Sequence, residues 1–250
     1  MSPWRLELLR LWRTRRLIAL AAVYVILGLG IPILTHELPQ LLEHANGSGV
    51  RVIAPPPTPV SSLAGFASNS GQLGTLVLVI VAAANLAIDA RPALAAFYRS
   101  RTHRPSRLLW PRSVTLLGAA SVCVAAGIAC CWYETAVLIG PLQPAALAGG
   151  FGLELLWLCF CIALVACWAG LIKGVLPVIG ATLATLLVLA FISGVHPIES
   201  WLPTKMAASL ASLAGSHPAG VPWHALATTA AATAGLAIAA TWGVQRRRPA

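Results

Sequence analysis

The placement of charge constrains this chain more than any other feature. Six apolar stretches, residues 17–34, 71–88, 113–138, 145–171, 175–195 and 224–244, hold only two acidic or basic side chains between them, Glu134 and Glu154. As helices rising about 1.5 Å per residue, each is just long enough, or longer than needed, to cross roughly 30 Å of hydrocarbon. Only helices and closed barrels satisfy every backbone group inside a bilayer, and continuous runs of this length favour the helix. The chain therefore reads as an all-α membrane protein with one transmembrane domain over residues 1–250. Its 10% of charged residues agrees, since a soluble domain carries about 25%.

The basic residues set the orientation. Of 17 Lys and Arg, five lie before residue 17, six lie in residues 89–112, and Lys173 and Arg246 to Arg248 supply four more. Only Arg51 and Lys205 fall in the other intervals. Inner loops carry the excess of Lys and Arg, so six spans with both termini cytoplasmic are expected. The net charge of +10 does not point to nucleic acid, because the basic residues flank apolar runs that no duplex contacts. The apolar run after Arg16 lacks a small-x-small exit before Pro32, so signal-peptide cleavage is not expected.

Residues 1–16 read as an N-terminal interfacial helix. Ser2 can cap it, Pro3 suits its first turn, and Trp4, Leu8, Leu11 and Trp12 form an apolar stripe facing Arg10 and Arg13. Residues 89–112 form a basic cytoplasmic loop with a short helix begun at Asp89–Pro92 and stopped by Pro105. Leu94, Phe97 and Tyr98 share one face of that helix, with Arg91, Arg99 and Arg101 nearer the other. Such a helix can dock a soluble partner, or it can be a basic loop that pins topology and touches anionic lipid.

Residues 35–70 read as an outer segment containing the stiff run Pro55 to Pro59 and the turn Asn46–Gly49. His36, Glu37, Glu43 and His44 lie too loosely there to fix metal geometry, and no metal site is expected. Trp132 and Tyr133 mark an outer aromatic belt, and Gly140 to Pro144 a tight outer turn. Residues 196–223 are too polar to span and too apolar for a free loop. Met206, Leu210 and Leu213 share a helical face after Pro203, which fits either a re-entrant outer segment or a plain surface helix.

Glu154 is the most costly residue. It lies near the midplane of the fourth span, where an ionised carboxylate costs about 2.5–3.5 kcal/mol on insertion scales. It should face protein or water or be protonated, as a pathway residue, an interface contact or a packing residue. Cys123, Cys130, Cys131, Cys159, Cys161 and Cys167 read as small apolar packing residues. No P-loop, G-x-S-x-G or H-E-x-x-H motif occurs, so the chain is not expected to be an enzyme. A rhomboid-type protease is excluded because Ser193 and His196 lie together at one membrane edge.

The layout resembles the ABC-2 type permease family, the membrane subunits of ABC exporters. The likeness rests on the basic helix Trp4 to Arg16, the basic loop between spans two and three, and the dipping segment between spans five and six. The run Asp89, Arg91, Phe97–Tyr98, Arg101 and Pro111–Arg112 is similar to a drug-exporter-like branch found in actinobacteria, although Asp89-Ala90-Arg91-Pro92 stands where Glu-Arg-x-x-Gly is commoner. The resemblance implies a multi-pass protein of the bacterial plasma membrane that exports amphipathic or hydrophobic, drug-like substrates. It implies a second permease subunit, identical or not, and two ATPase subunits that carry ATP and Mg, with no cofactor on this chain. Arg91, Leu94, Phe97, Tyr98, Arg99 and Arg101 would then couple to the ATPases, with Trp4, Leu8 and Arg13 on the N-terminal helix. Asn85, Thr182 and Thr185 join Glu154 as candidates for the pathway. The rival class is a proton-coupled secondary transporter using Glu154; a non-transporting membrane scaffold is a third.

Overall fold

The computed structural model describes residues 3–45, 56–87, 106–194, 200–207, 210 and 222–246, and every regular element among them is helical. In chain order these are α1 (Pro3–Arg13), α2 (Arg16–Ala45), α3 (Pro59–Asn69), a π-helical turn (Ser70–Gly74), α4 (Thr75–Leu86), α5 (Ser106–Leu138), α6 (Pro144–Leu171), α7 (Val175–Ile192) and α8 (Trp223–Arg246). With α3, the π-turn and α4 taken as one continuous helix, six helices are long and apolar enough to cross a membrane. That is the signature of a multi-pass membrane protein.

Several boundaries differ from the apolar runs. The second crossing helix begins at Pro59, not Gly71, so most of what reads as the end of an outer segment is helix. Thr58 caps it: its hydroxyl accepts from the Ser61 backbone N–H at 3.1 Å, and Ser61 Oγ accepts from the Thr58 N–H at 3.1 Å. The small polar residues that look like loop in sequence are satisfied locally. Asn69 Nδ2 donates to the Gly65 carbonyl at 2.8 Å, Ser70 Oγ to Ala67 at 3.1 Å, and Ser62 pairs with Thr135 at 3.0 Å. Among the described residues of the proline run, 56–58 lie outside the helix with Thr58 extended, and Pro59 fits the first turn of α3. The first crossing helix runs through Pro32, continues past Leu34 and through Pro39, and ends at Ala45. Likewise α5 starts at Ser106, which takes residues 106–112 out of the expected loop.

The core is built around α6. It packs along α8 and also meets α4, α5 and α7, while α2 lies chiefly along α5. The α2–α5 contact is close because Gly127 carries no side chain: a Cβ there would stand 2.8 Å from the Tyr24 carbonyl oxygen, and one on Gly28 would overlap the Gly127 carbonyl. Small residues let helix backbones approach in an apolar solvent, where packing rather than water drives association. Arg15, at φ 55°, ends α1 and turns the chain into α2.

One end of the bundle is basic. Arg16 at the start of α2 donates Nη1 to the Ala84 carbonyl of α4 at 3.0 Å. Gly243 of α8 approaches Gly170 near the end of α6, so Arg246 lies at this end too. Between α7 and α8, residues 204–207 are helical, and Met206 and Leu210 are buried. Leu213 lies outside the described residues.

Candidate functional site

Two polar arrangements stand out in an otherwise apolar bundle. The first is deep within it. On α6, Gly150, Glu154, Trp157 and Cys161 follow one another at spacings of three and four, which places them on one helix face. Trp157 Nε1 donates to Thr75 Oγ1 at 3.1 Å, fixing that face against the start of α4. Thr75 directly follows the π-turn, and a π-turn widens a helix locally and often marks a functional position. Its last residue, Gly74, leaves room for the Tyr24 ring: a Cβ there would lie 2.8 Å from the ring edge and hydroxyl.

Tyr24 is fully buried, and its hydroxyl has no hydrogen-bond partner among the described residues. It lies within electrostatic reach of Glu154. Glu154 is itself only 4% exposed. Burying a hydroxyl unpaired costs about 1–3 kcal/mol by mutational measures, and an unpaired carboxylate more. Trp157 also stacks on Phe160 at 5.6 Å between centroids. The node is thus a buried acid and a phenol without a partner among the described residues, framed by aromatic rings and glycine.

Directly beside it stands the segment between α7 and α8. A Cβ on Gly150 would be 2.8 Å from the Leu210 Cα, and one on Gly71 would be 3.7 Å from the Ala207 Cβ. Residues 207 and 210 therefore sit one turn from Glu154 on α6 and against the start of the π-turn.

The second arrangement is at the basic end. Arg112 Nε donates to Glu7 Oε1 at 3.0 Å, and Arg10 Nη1 lies 3.7 Å from Glu7 Oε2. Arg112 reads in sequence as the last residue of the basic loop, yet it is only 2% exposed. The pair bolts α1 to the base of α5. On the other side of α1, Trp4, Leu8 and Trp12 are 46%, 53% and 65% exposed, whereas Leu11 is buried. Arg13 is exposed as well. Three members of the expected apolar stripe thus face away from the protein, and Leu11 faces in.

The remaining sequence candidates scatter. Asn85 is buried with both amide atoms unpaired among the described residues, but it is ten positions beyond Thr75, about 15 Å along α4. Thr182 is buried and donates to the Val178 carbonyl at 2.8 Å. Thr185 accepts from Trp168 Nε1 at 3.2 Å, near the basic end of α6. No hydrogen bond among the described residues joins Glu154, Asn85, Thr182 and Thr185 to one another. Arg91, Leu94, Phe97, Tyr98, Arg99 and Arg101 lie outside the described residues. Tyr24, Thr75, Trp157 and Glu7 were not singled out by sequence, although Tyr24 is the sole aromatic residue in residues 17–34 and Glu7 the sole acid in residues 1–16.

An apolar cleft of about 140 Å³ also opens between α5, α6 and α8 toward the basic end, lined by Leu109, Ser113, Cys159, Ala163, Ala237 and Thr241 among others.

Fold and node together define a multi-pass membrane protein with a buried acid in its core. No protein-family model matches the chain, and no curated protein matches it.

Proposed function

We propose that the chain is the membrane-spanning permease subunit of an ABC exporter. It moves amphipathic or hydrophobic substrates outward across a bacterial plasma membrane, and two separate ATPase subunits drive it. Both termini and the basic end face the cytoplasm, where Lys and Arg concentrate. A second permease subunit completes the pathway, and residues 196–223 form a re-entrant outer segment. The observation that carries the reading is the Glu7–Arg112 bond. It makes α1 and the base of α5 one rigid piece, immediately after the arginine-rich residues 89–105, so a push at that surface moves two helices together. Pushes by a partner are useful only if the receiving element is stiff.

The test is copurification. The full chain, extracted in detergent from its own host, should bring down an ATPase identifiable by mass spectrometry. Reversing charge at Arg99 and Arg101 should lose that partner or leave its ATP hydrolysis uncoupled from transport. An unchanged complex with unchanged transport would refute the docking role.

A second reading draws on Glu154 itself. An acid buried within a membrane-spanning helix is also what a proton-coupled secondary transporter uses. In that case Glu154→Gln would abolish coupling to a pH gradient, and removal of any ATPase would change nothing.

A further inference from the structure

We propose that the cleft between α5, α6 and α8 seats one acyl chain of a membrane phospholipid, drawn from the leaflet at the basic end. The site is separate from the Glu154 node and owes nothing to an ATPase. It runs from Leu109 to Leu117 on α5, from Ala166 back to Cys159 on α6, and from Thr241 back to Thr233 on α8. Since α5 leads away from the basic end while α6 and α8 lead toward it, all three stretches descend side by side from that end. Eight positions on α5 and on α8 cover about 12 Å of helix. The hollow is therefore a slot lying along the helices, the direction in which lipid chains lie.

The walls belong to three helices long and apolar enough to cross a membrane. Trp110 and Val114 line the slot and are still 54% and 41% exposed, so it opens on the outside of the bundle, where lipid stands. It is hollow because α6 and α8 bring only small side chains to its floor, among them Ala163, Ala166, Ala237 and Ala240. Its polar groups need nothing from an occupant: the Thr233 and Thr241 hydroxyls donate to their own helix, to the carbonyls of Thr229 at 2.7 Å and Ile238 at 2.8 Å. An apolar void of roughly 150 Å³ stays dry and takes up a benzene-sized hydrocarbon, and this one holds about 140 Å³. Left empty, it forfeits the dispersion contacts of its lining. A helix of a second subunit, about 10–12 Å across with its side chains, is too wide to enter. An acyl chain is both narrow and apolar. The mouth stands at headgroup level, marked by Trp110 and by Trp242, which follows Thr241 and carries Arg246 over its ring at 3.4 Å. A chain entering there ends among Leu117, Cys159 and Thr233.

The test is photolabelling of the full chain in nanodiscs. Two phosphatidylcholines are used, one with a diazirine near the carbonyl end of an acyl chain and one with it near the methyl end, and the labelled residues are mapped by mass spectrometry. The first probe should label around Trp110 and Thr241, the second around Leu117, Cys159 and Thr233. Both should label the slot several-fold more than Leu176 and Leu187 on the exposed face of α7. Ala237→Phe, which fills the slot, should remove that excess while helicity, elution volume and labelling of α7 stay unchanged. The same variant should unfold at a midpoint less dependent on added phospholipid than wild type. Equal labelling of slot and α7, a reversed order of depth, or an excess that survives Ala237→Phe overturns the proposal. An unlabelled slot, with disulfide-linked dimers through Ala237→Cys in a chain whose six cysteines are alanine, also overturns it and assigns the slot to a second copy. If Ala237→Phe fails to fold, the order of depth and the excess over α7 in wild type decide alone.

Discussion

Glu154 and Tyr24 are expensive where they are, and this has a measurable consequence. An unpaired buried polar group destabilises by about 1–3 kcal/mol relative to an apolar group of like shape. Tyr24→Phe and Glu154→Leu should therefore raise the thermal unfolding midpoint in detergent. A lowered midpoint for both would mean that these groups do have partners and that the node is structural. Gly127 makes the opposite case. A methyl group at that position runs into the Tyr24 backbone, so Gly127→Ala should cost about 1–3 kcal/mol, read as a lower midpoint under the same conditions. Residue identity in the core is thus set by two different demands, close backbone approach at glycine and reserved polarity at the acid.

Among the elements, α1 is the one whose role changes most between sequence and structure. Its apolar stripe suits the bilayer interface, and Trp4, Leu8 and Trp12 remain free for that role, but Glu7 holds the helix to α5 from the other side. Removing one partner of a buried ion pair costs about 3–5 kcal/mol because the other charge is left uncompensated. Arg112 has a further interaction, so Glu7→Ala should fall at the low end of that range. The paired change Glu7→Leu with Arg112→Met should recover most of the loss, since well-packed apolar pairs commonly replace buried ion pairs without penalty. A double-mutant cycle on thermal stability measures the coupling; additive effects would show that the strut carries no force. The helix α3 teaches a related lesson. Serine and asparagine between residues 61 and 70 look like punctuation in one dimension, and fit the helix because their side chains bond to their own preceding turn or to Thr135.

For the whole molecule, the distribution of burial separates a covered centre from bare flanks. α6 is the most enclosed of the crossing helices, whereas α7 leaves Leu176 and Phe191 80% and 75% exposed, surfaces suited to lipid or to another transmembrane subunit. The orientation can be tested directly. In a variant with the six cysteines replaced by alanine, Trp223→Cys should react with a membrane-impermeant thiol reagent added outside intact cells. Arg246→Cys should react only after the membrane is opened. The reverse pattern would invert the topology and, with it, the direction of transport proposed above.

Sequence alone determined that the chain crosses a membrane as helices, because twenty apolar residues without charge have no other low-energy solution in either water or lipid. It also singled out Glu154, because a lone acid in such a run is costly wherever the helix goes. Which residues face that acid was decided only by tertiary structure. Tyr24 comes to it from another helix, Leu210 stands against Gly150 one turn away, and Glu7 finds Arg112 across 105 positions. Lipid-facing and protein-facing positions carry the same kinds of apolar side chain, so hydropathy marks where a helix runs and stays silent about its neighbours.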